Sequence, residues 1–233
     1  MMQLIRTRLI KKGGRSFFLI LLILLILPVV LLAMYPISLQ AAGESPENRT
    51  SDIEEWASSV VRLEIYDAKG DRIGTGSGFA MGEPAVLVTA CHVIVNMEYM
   101  IATRDDGSIL RMDHVIDVDE DADVAICELP EDAHLASLPA ASADPFRGDP
   151  VTAIGSQFGL VNLVTLGNVC GRWEAMGTDW ILFTAPVSEG SSGGPLLNEN
   201  GEVIGVITGT YEKGQNLNLA APATKASDLA APD

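Results

Sequence analysis

The chain has 233 residues, of which 48% are hydrophobic and 20% are charged, so it is too apolar to be mainly disordered. Its first 40 residues hold five cations and no acid, and the remaining 193 residues carry 10 cations against 31 acids, a formal charge of −21. A surface this negative repels phosphate, which argues against nucleic acid as a partner and against docking on anionic lipid headgroups. The 193 residues suffice for one sizeable domain or for two small packed halves.

Residues 17–37 form a stretch that is long and apolar enough to span a bilayer. Residues 17–34 contain no polar side chain, and the apolar character continues to Ile37. At a rise of ~1.5 Å per residue the stretch would reach about 31 Å, close to the thickness of the hydrocarbon layer. A cleaved secretory signal is the alternative, but residues 38–42 (SLQAA) fit the small-x-small cleavage pattern poorly. We therefore expect an uncleaved transmembrane anchor at 17–37.

The charges around this stretch predict its orientation. Five cations lie in residues 1–16 and none lies just after the span, which favours a cytoplasmic N-terminus. Either an anchor or a cleaved signal exports the rest of the chain, so we expect the folded domain in the periplasm or outside the cell. Residues 38–57, which include the small and polar run AAGESPENRT, are interpreted as a linker between membrane and domain.

The three cysteines, Cys91, Cys127 and Cys170, allow at most one internal disulfide. No pair has the spacing of metal ligands and no CxxC motif is present in the sequence. Our interpretation is that they are small, buried apolar side chains, and one bridge in an oxidising compartment stays open as the alternative.

From residue 58 onward the sequence shows short β-rich runs separated by turn residues, without an amphipathic helical repeat up to residue 220. The predicted strands are 59–66, 73–81, 85–90, 99–103, 124–129, 151–155, 180–184 and 203–208. Many short strands at regular spacing favour antiparallel sheets or barrels over an α/β fold. The stretch 138–150 (LPAASADPFRGDP) divides the strands into two sets. We therefore predict one all-β domain at 58–228, with halves at about 58–137 and 150–228.

The segment GSSGGPL at 190–196 is the first candidate for chemistry, because glycines flank two serines in what must be a tight loop. A serine hydroxyl is a weak nucleophile. It needs an exposed position, a base within hydrogen-bond reach and N–H groups aimed at the developing oxyanion. A Gly/Ser hairpin turn without any chemistry explains this segment equally well when it is taken alone.

A histidine and an aspartate complete the candidate set. His92 ends the apolar strand VLVTA and is the candidate base, whereas His114 and His134 lie in polar, acidic surroundings and are interpreted as solvated. Asp123 ends an acidic run and directly precedes the apolar strand VAICEL, where its carboxylate can fix the tautomer of an imidazole. The chain order His92, Asp123, Ser192 is that of chymotrypsin-type triads and differs from the order in α/β-hydrolases and subtilisins.

Seven blocks of the sequence carry a resemblance to a known family: GSGF at 76–79, VLVTACHVI at 86–94, DADVAICEL at 121–129, GDPVTAIGSQFGL at 148–160, VTLGNVCG at 164–171, GSSGGPLLNENGEVIGV at 190–206 and NLNLAAPA at 216–223. In this order they resemble the protease domain of the HtrA branch of trypsin-like serine proteases. The resemblance covers about residues 59 to 222, and it is specific because the blocks occur together. It implies two six-stranded antiparallel β-barrels with the active site in the cleft between them.

The same resemblance implies roles for individual residues. Ser192 matches the nucleophile, His92 the general base and Asp123 the acid that orients this base. The backbone N–H groups of Gly190 and Ser192 match the oxyanion hole. The substrate pocket is expected at Pro186, Thr208, Thr210 and Tyr211. Because Pro186 offers no acid to a substrate Lys or Arg, we expect a preference for small or medium aliphatic side chains.

Three residues depart from the family's pattern. Ser191 stands where HtrA proteins commonly have Asn and offers a second hydroxyl, but the register of residues 193–195 (GGP) favours Ser192 as the nucleophile. Cys91 replaces a small or polar residue before the histidine. Glu189 lies beside the oxyanion-hole glycine, where a negative charge would disfavour an oxyanion. Because the sequence ends just past the second barrel, we do not expect a PDZ domain.

These features predict a membrane-anchored, exported serine endopeptidase that cleaves unfolded or exposed polypeptides. The alternative is a catalytically silent homologue that binds extended peptides or partner proteins in the same cleft. We expect no cofactor and no metal, since the acidic run 117–123 lacks the spacing of a calcium loop. A homo-oligomer stays open, because HtrA relatives are often trimeric, although residues 41–57 show no strong apolar motif for it.

Overall fold

The computed structural model describes residues 46–211 and 216–231, and this part of the chain is mostly β-structure. Within these residues the α-helices are α1 (Pro46–Ser58) and α2 (Ala223–Ala230), and the strands are β1 (Val60–Tyr66), β2 (Arg72–Met81), β3 (Val86–Thr89), β4 (Tyr99–Thr103), β5 (Ile109–Met112), β6 (Val115–Asp119), β7 (Val124–Glu128), β8 (Pro150–Gly155), β9 (Leu163–Ala175), β10 (Thr178–Phe183), β11 (Pro195–Leu197), β12 (Val203–Thr210) and β13 (Asn218–Pro222). Short 3₁₀ helices, Cys91–Ile94 and Gln157–Gly159, follow β3 and β8. The all-β class predicted from the sequence is confirmed.

Strands β1 to β7 form one antiparallel sheet in the order β5-β4-β1-β2-β3-β7-β6. Its two edge strands are consecutive in the chain and are separated only by Asp113 and His114, so the sheet curls into a half-barrel whose edges approach at this corner. The sequence led us to expect a closed barrel of six strands here. The structure has seven strands in an open sheet, because the Asp113-His114 corner interrupts the pairing and divides β5 from β6.

Strands β8 to β13 form a closed barrel in the order β10-β13-β12-β11-β8-β9, and the six-stranded barrel expected for the second half is confirmed. The long strand β9 joins its neighbours on both sides, since it pairs with β8 and with β10. Gly167 on β9 permits a close backbone approach, because a Cβ there would lie 2.1 Å from Ala185 N.

Apolar side chains fill each half and the space between the halves. Along β1, Val61, Leu63 and Ile65 are fully buried in the core of the first sheet, as the alternation of a half-buried strand requires. On the opposite face, Val60 belongs to a cluster that also contains Ile154 of the barrel. This shared cluster fixes the two halves against each other and thereby positions the loops that meet between them.

Helix α1 occupies residues that the sequence predicted as part of the linker at 38–57. Its last turn packs against the domain. Ala57 is buried, and the Trp56 ring lies against Gly201, since a Cβ on Gly201 would come 2.2 Å from the indole Nε1. The side-chain amide of Asn162 donates a hydrogen bond to Ala57 O at 2.8 Å, which satisfies an acceptor that a helix end leaves free. The helix is therefore stabilised by contacts with residues far along the chain.

The expected anchor at 17–37 and the basic segment at 1–16 lie outside the described residues. Among the residues that the structure describes, no helix is long and apolar enough to cross a membrane.

The three cysteines are free thiols. Cys127 is fully buried in the first sheet, and this burial raises the pKa of its thiol to about 12. Cys91 packs partly buried against the same core, and Cys170 is partly buried on the barrel. The side chains of Cys91 and Cys127 therefore pack as small apolar groups, as we interpreted them from the sequence.

Candidate active site

Two glycines with positive φ shape the loop that presents Ser192. Gly190 has φ +97° and Gly193 has φ +86°, backbone conformations that residues with a side chain rarely adopt. Space excludes a side chain as well, since a Cβ on Gly190 would lie 2.3 Å from Ser156 O and one on Gly193 would lie 2.2 Å from Ser77 O. The glycines fix the path of the loop and leave Ser192 partly exposed between them.

His92 and Asp123 are joined at the ends of neighbouring strands, β3 and β7. His92 Nδ1 lies 2.6 Å from Asp123 Oδ2. Asp123 Oδ1 accepts a hydrogen bond from the His92 backbone N–H at 2.8 Å, and Asp123 O accepts one from Cys91 N–H at 3.2 Å. Asp123 has φ +56°, a left-handed conformation that Asp tolerates better than most residues. It therefore holds both the imidazole and the backbone that carries it.

The hydrogen bond to Asp123 raises the pKa of His92 above its ordinary value, with burial acting in the opposite direction and the Asp123 charge adding to the rise. With Nδ1 facing the carboxylate, Nε2 is the nitrogen left to accept a proton from another group. The pair therefore has the arrangement of a general base whose protonated form is stabilised.

The Ser192 hydroxyl donates a hydrogen bond to Thr208 O at 3.2 Å, and within the described residues it makes none to His92. The two segments nevertheless lie close together, because both contact Gly76. A Cβ on Gly76 would lie 2.6 Å from Val93 Cγ1 and 3.1 Å from Ser192 O. Hydrogen bonds between catalytic groups are often long or misaligned before substrate binds. The structure thus brings the predicted segments to one place, with the hydroxyl turned towards Thr208.

The backbone N–H groups of Gly190 and Ser192 have no hydrogen-bond acceptor among the described residues. The peptide units that carry these N–H groups are held through their carbonyls. Glu189 O accepts a hydrogen bond from Phe158 N–H at 3.0 Å, and Ser191 O accepts one from Gly194 N–H at 3.0 Å. Because N–H and C=O point in opposite directions across a trans peptide, these bonds direct the two free N–H groups away from Phe158 and Gly194. Two unpaired donors on one loop are the chemical requirement of an oxyanion hole.

The residues that depart from the family's pattern have distinct settings. Ser191 is buried, and its Oγ accepts a hydrogen bond from Ser188 N–H at 3.3 Å, so it stabilises the turn. The Glu189 side chain is exposed. Burial raises the pKa of the Cys91 thiol, and three neighbouring acids add to the rise, which lowers its reactivity at neutral pH.

A cavity of about 400 Å³ lies beside β12, the strand that carries Thr208. It is lined by Pro186, Val187, Ser188, Thr210, Tyr211, Asn216, Leu217 and Asn218. Three of the four predicted pocket residues, Pro186, Thr210 and Tyr211, are therefore in its wall. Thr208 is not among the lining residues, and its carbonyl accepts a hydrogen bond from the Ser192 hydroxyl.

Sequence reasoning missed the wall of this cavity that residues 216–218 form. Asn218 is buried, and its side-chain amide donates to Ala185 O at 2.7 Å, which ties the start of β13 to the segment before the nucleophile loop. The block NLNLAAPA, which carries part of the family resemblance, contained the signal for these residues.

The remaining titratable residues singled out in the sequence lie elsewhere. His114 and His134 are exposed, as expected. In the acidic run, Asp119 forms an ion pair with Lys225 at 3.0 Å. Within residues 46–211 and 216–231, no group of three or more His, Cys, Asp or Glu side chains is placed to hold a metal ion.

Comparison with known proteins agrees with the fold described above. A family model for the trypsin-like peptidase domain matches residues 76–206, more than half of the chain. Serine protease HTRA1 of Xenopus tropicalis is 33% identical over 187 residues, which cover 74% of this chain and 40% of the relative. Serine protease HTRA4 of Homo sapiens is 31% identical over 169 residues, which cover 66% of this chain and 35% of the relative.

Among solved structures, the serine endoprotease from Yersinia pestis matches with a TM-score of 0.70 and 26% sequence identity. The match covers 79% of this chain and 66% of the other. The chain spans about two fifths of the length of the curated relatives it matches.

Proposed function

The chain belongs to the trypsin-like peptidase family, with HtrA serine proteases among its relatives, and on that premise we propose that it is a membrane-anchored, exported serine endopeptidase. It hydrolyses peptide bonds of unfolded or exposed polypeptides with His92, Asp123 and Ser192. The observation that carries the proposal is the 2.6 Å contact between His92 Nδ1 and Asp123 Oδ2 beside a serine loop shaped by glycines.

In the proposed reaction, Ser192 Oγ attacks the carbonyl carbon of the substrate while His92 Nε2 takes the hydroxyl proton. Asp123 stabilises the imidazolium, which then gives the proton to the leaving amine. The N–H groups of Gly190 and Ser192 receive the negative charge on the carbonyl oxygen. Water next attacks the acyl-enzyme with the same base, which releases the acid product and restores Ser192.

One edge of β12 supports the choice of an extended polypeptide as substrate. On one side β12 pairs with β13 as far as Thr210↔Asn218, but on the other side it pairs with β11 only as far as Val206↔Pro195. Residues 208–210 therefore have no strand on that side in the described part of the chain. A peptide added there as a strand gains backbone hydrogen bonds whatever its sequence, whereas a folded protein has its backbone groups already paired.

The same edge accounts for the position of the Ser192 hydroxyl. Thr208 O, which accepts the bond from Ser192 Oγ at 3.2 Å, belongs to the edge on which we place the peptide. A peptide N–H that takes this acceptor releases the hydroxyl, which then turns to His92 Nε2. A rotation about one bond is sufficient, and such rotations are fast.

A second function, binding of extended peptides without hydrolysis, is favoured by one observation. The hydrogen bond from Ser192 Oγ to Thr208 O takes the place of one to His92 Nε2. Incubation of the full-length protein in detergent with a quenched fluorescent, denatured protein separates the two functions. The endopeptidase predicts turnover that Ser192→Ala abolishes, whereas a pure binding protein gives saturable binding and no cleavage product.

A further inference from the structure

Ser77 connects the first sheet to the loop that carries both oxyanion donors. It lies in the middle of β2 and is fully buried. Its hydroxyl donates to Gly190 O at 2.7 Å and accepts from Ser156 N–H at 2.8 Å. Its backbone N–H donates to Ser192 O at 2.8 Å, and its carbonyl accepts from Thr89 Oγ1 at 2.7 Å. Every polar group of this residue is therefore paired, and the partners belong to three separate segments of the chain.

The bond from the Ser77 hydroxyl holds the middle one of three consecutive peptide units. These units span residues 189 to 192. Glu189 O accepts a hydrogen bond from Phe158 N–H, Gly190 O accepts one from the Ser77 hydroxyl, and Ser191 O accepts one from Gly194 N–H. The first and third units carry the free N–H groups of Gly190 and Ser192, and the middle unit joins them. Because Gly190 has no side chain to limit its rotation, the orientation of the middle unit depends on its hydrogen bonds.

We propose that Ser77 is a positioning residue for the oxyanion hole. Together with the hydrogen bond that Ser191 N–H donates to Ser188 O at 2.9 Å, its hydroxyl fixes the peptide between residues 190 and 191, so that both N–H donors face the substrate carbonyl at the same time. Thr89, which binds the Ser77 carbonyl, lies three residues before His92, so one buried serine links the sheet that carries the base to the loop that carries the nucleophile. This inference rests on the proposed peptidase function.

The expected effect of Ser77→Ala is on the transition state rather than on substrate binding. The substitution leaves Gly190 O and Ser156 N–H without their partner, so the loop samples orientations in which the two N–H groups no longer converge. Loss of a direct oxyanion donor lowers kcat by about 10²–10³-fold, and an indirect partner should lower it by roughly 10–100-fold with KM nearly unchanged.

The test compares a peptide aldehyde, which adds to Ser192 and places an oxygen in the oxyanion hole, with the corresponding alcohol, which does neither. A peptide aldehyde forms a hemiacetal with Ser192 Oγ, and its oxygen occupies the oxyanion hole. The corresponding peptide alcohol has no carbonyl, so it binds without that contact. Inhibition constants of both ligands, with kcat and KM, are measured on the full-length protein and normalised to the active-site concentration. Ser137→Ala, which removes a hydroxyl bonded to Gly82 O at 2.9 Å, is the matched control.

Ser77→Ala should weaken inhibition by the aldehyde by the same factor as it lowers kcat/KM, and it should leave inhibition by the alcohol unchanged. Ser137→Ala should change neither inhibition constant. Equal weakening of both ligands, or no change in either, would overturn the proposal. If Ser77→Ala does not fold, Ser77→Cys, which keeps a weaker donor of similar shape, is measured and the same ratio decides. An inactive wild-type protein refutes the proposed function itself, whereas an active wild type with an unaffected Ser77 variant refutes this inference alone.

Discussion

At the scale of single residues, we expect the hydrogen bond between His92 and Asp123 to set the pH range of the proposed peptidase. The bond raises the pKa of His92, which must be neutral to accept a proton, so kcat/KM should rise with pH through this raised pKa. The same bond also contributes to folding. Its contribution is fully present below the unfolded-state pKa of about 6.5 and is lost as the pH rises through the higher folded-state pKa.

Asp123→Asn should lower the pKa of His92 and move the acid limb of the kcat/KM profile to lower pH. The plateau should fall by up to ~10⁴-fold, because an amide favours the wrong imidazole tautomer. Initial rates of the full-length enzyme across the acid and neutral range provide the measurement. Asp121→Asn, two residues earlier and exposed, is the matched control and should change neither quantity. A greater loss in Asp121→Asn would mean that the acid has been assigned to the wrong residue.

The sequence indicates candidate site residues that sit in local motifs, and it does not indicate a residue whose proposed role depends on distant contacts. His92 and Asp123 adjoin apolar strands, and Ser192 lies among glycines, so composition over a few neighbours identifies them. Ser77 has hydrogen-bond partners 12, 79 and 113 positions away. Its role follows only from the pairing of the two halves, which no short pattern in the sequence encodes.

At the scale of elements, strand prediction succeeded for strands rich in buried apolar residues and missed β5, β6, β9, β11 and β13. The longest of these, β9, has only two buried positions among its 13 residues. The run predicted at 59–66 is β1 (Val60–Tyr66), whose alternate side chains are fully buried. In contrast, β11 has three residues, and β6 (VIDVD) extends into the acidic run with most of its side chains exposed. Such strands are specified by their partners in the sheet, because their own residues fit a loop equally well.

Helix α1 offers a test of whether residues before 58 belong to the folded domain. Trp56→Ala should lower the free energy of unfolding by about 1–3 kcal/mol, since the partly buried ring packs against the core and Gly201. Glu55→Ala, on the same helix and exposed, should stay within about 0.5 kcal/mol of wild type. Urea unfolding of the full-length protein in detergent measures both. Equal values for the two variants would mean that this segment is only a linker.

We expect the cavity beside β12 to receive the side chain that precedes the cleaved bond. Pro186, Val187 and Leu217 supply apolar surface, and no acid is among the described residues that line it. An unpaired Lys or Arg there would bear a desolvation cost of several kcal/mol, so we expect cleavage after Val, Ala or Leu. Mass-spectrometric profiling of cuts in a denatured proteome gives the preference. Enrichment of Lys or Arg before the cut would contradict this account of the pocket.

At the scale of the whole molecule, a strongly acidic domain follows a basic N-terminus and an apolar stretch. We expect the full-length protein to stay with the membrane after a carbonate wash, and a reporter fused after Asp233 to be active outside the cytoplasm. Placing two arginines in the stretch, Leu24→Arg with Leu25→Arg, should release the protein from the membrane fraction. Recovery of a soluble wild-type form that begins near Ala42 would instead show a cleaved signal.

The proposed function requires that Ser192, activated by His92, is the nucleophile of a peptidase. Covalent labelling of the full-length protein with a fluorophosphonate, followed by location of the adduct by mass spectrometry, tests it most directly. We expect an adduct on Ser192, its loss in Ser192→Ala and in His92→Ala, and its retention in Ser191→Ala, since Ser191 is buried in the turn. An adduct on Ser191, or a folded wild-type protein that takes no label, would contradict it.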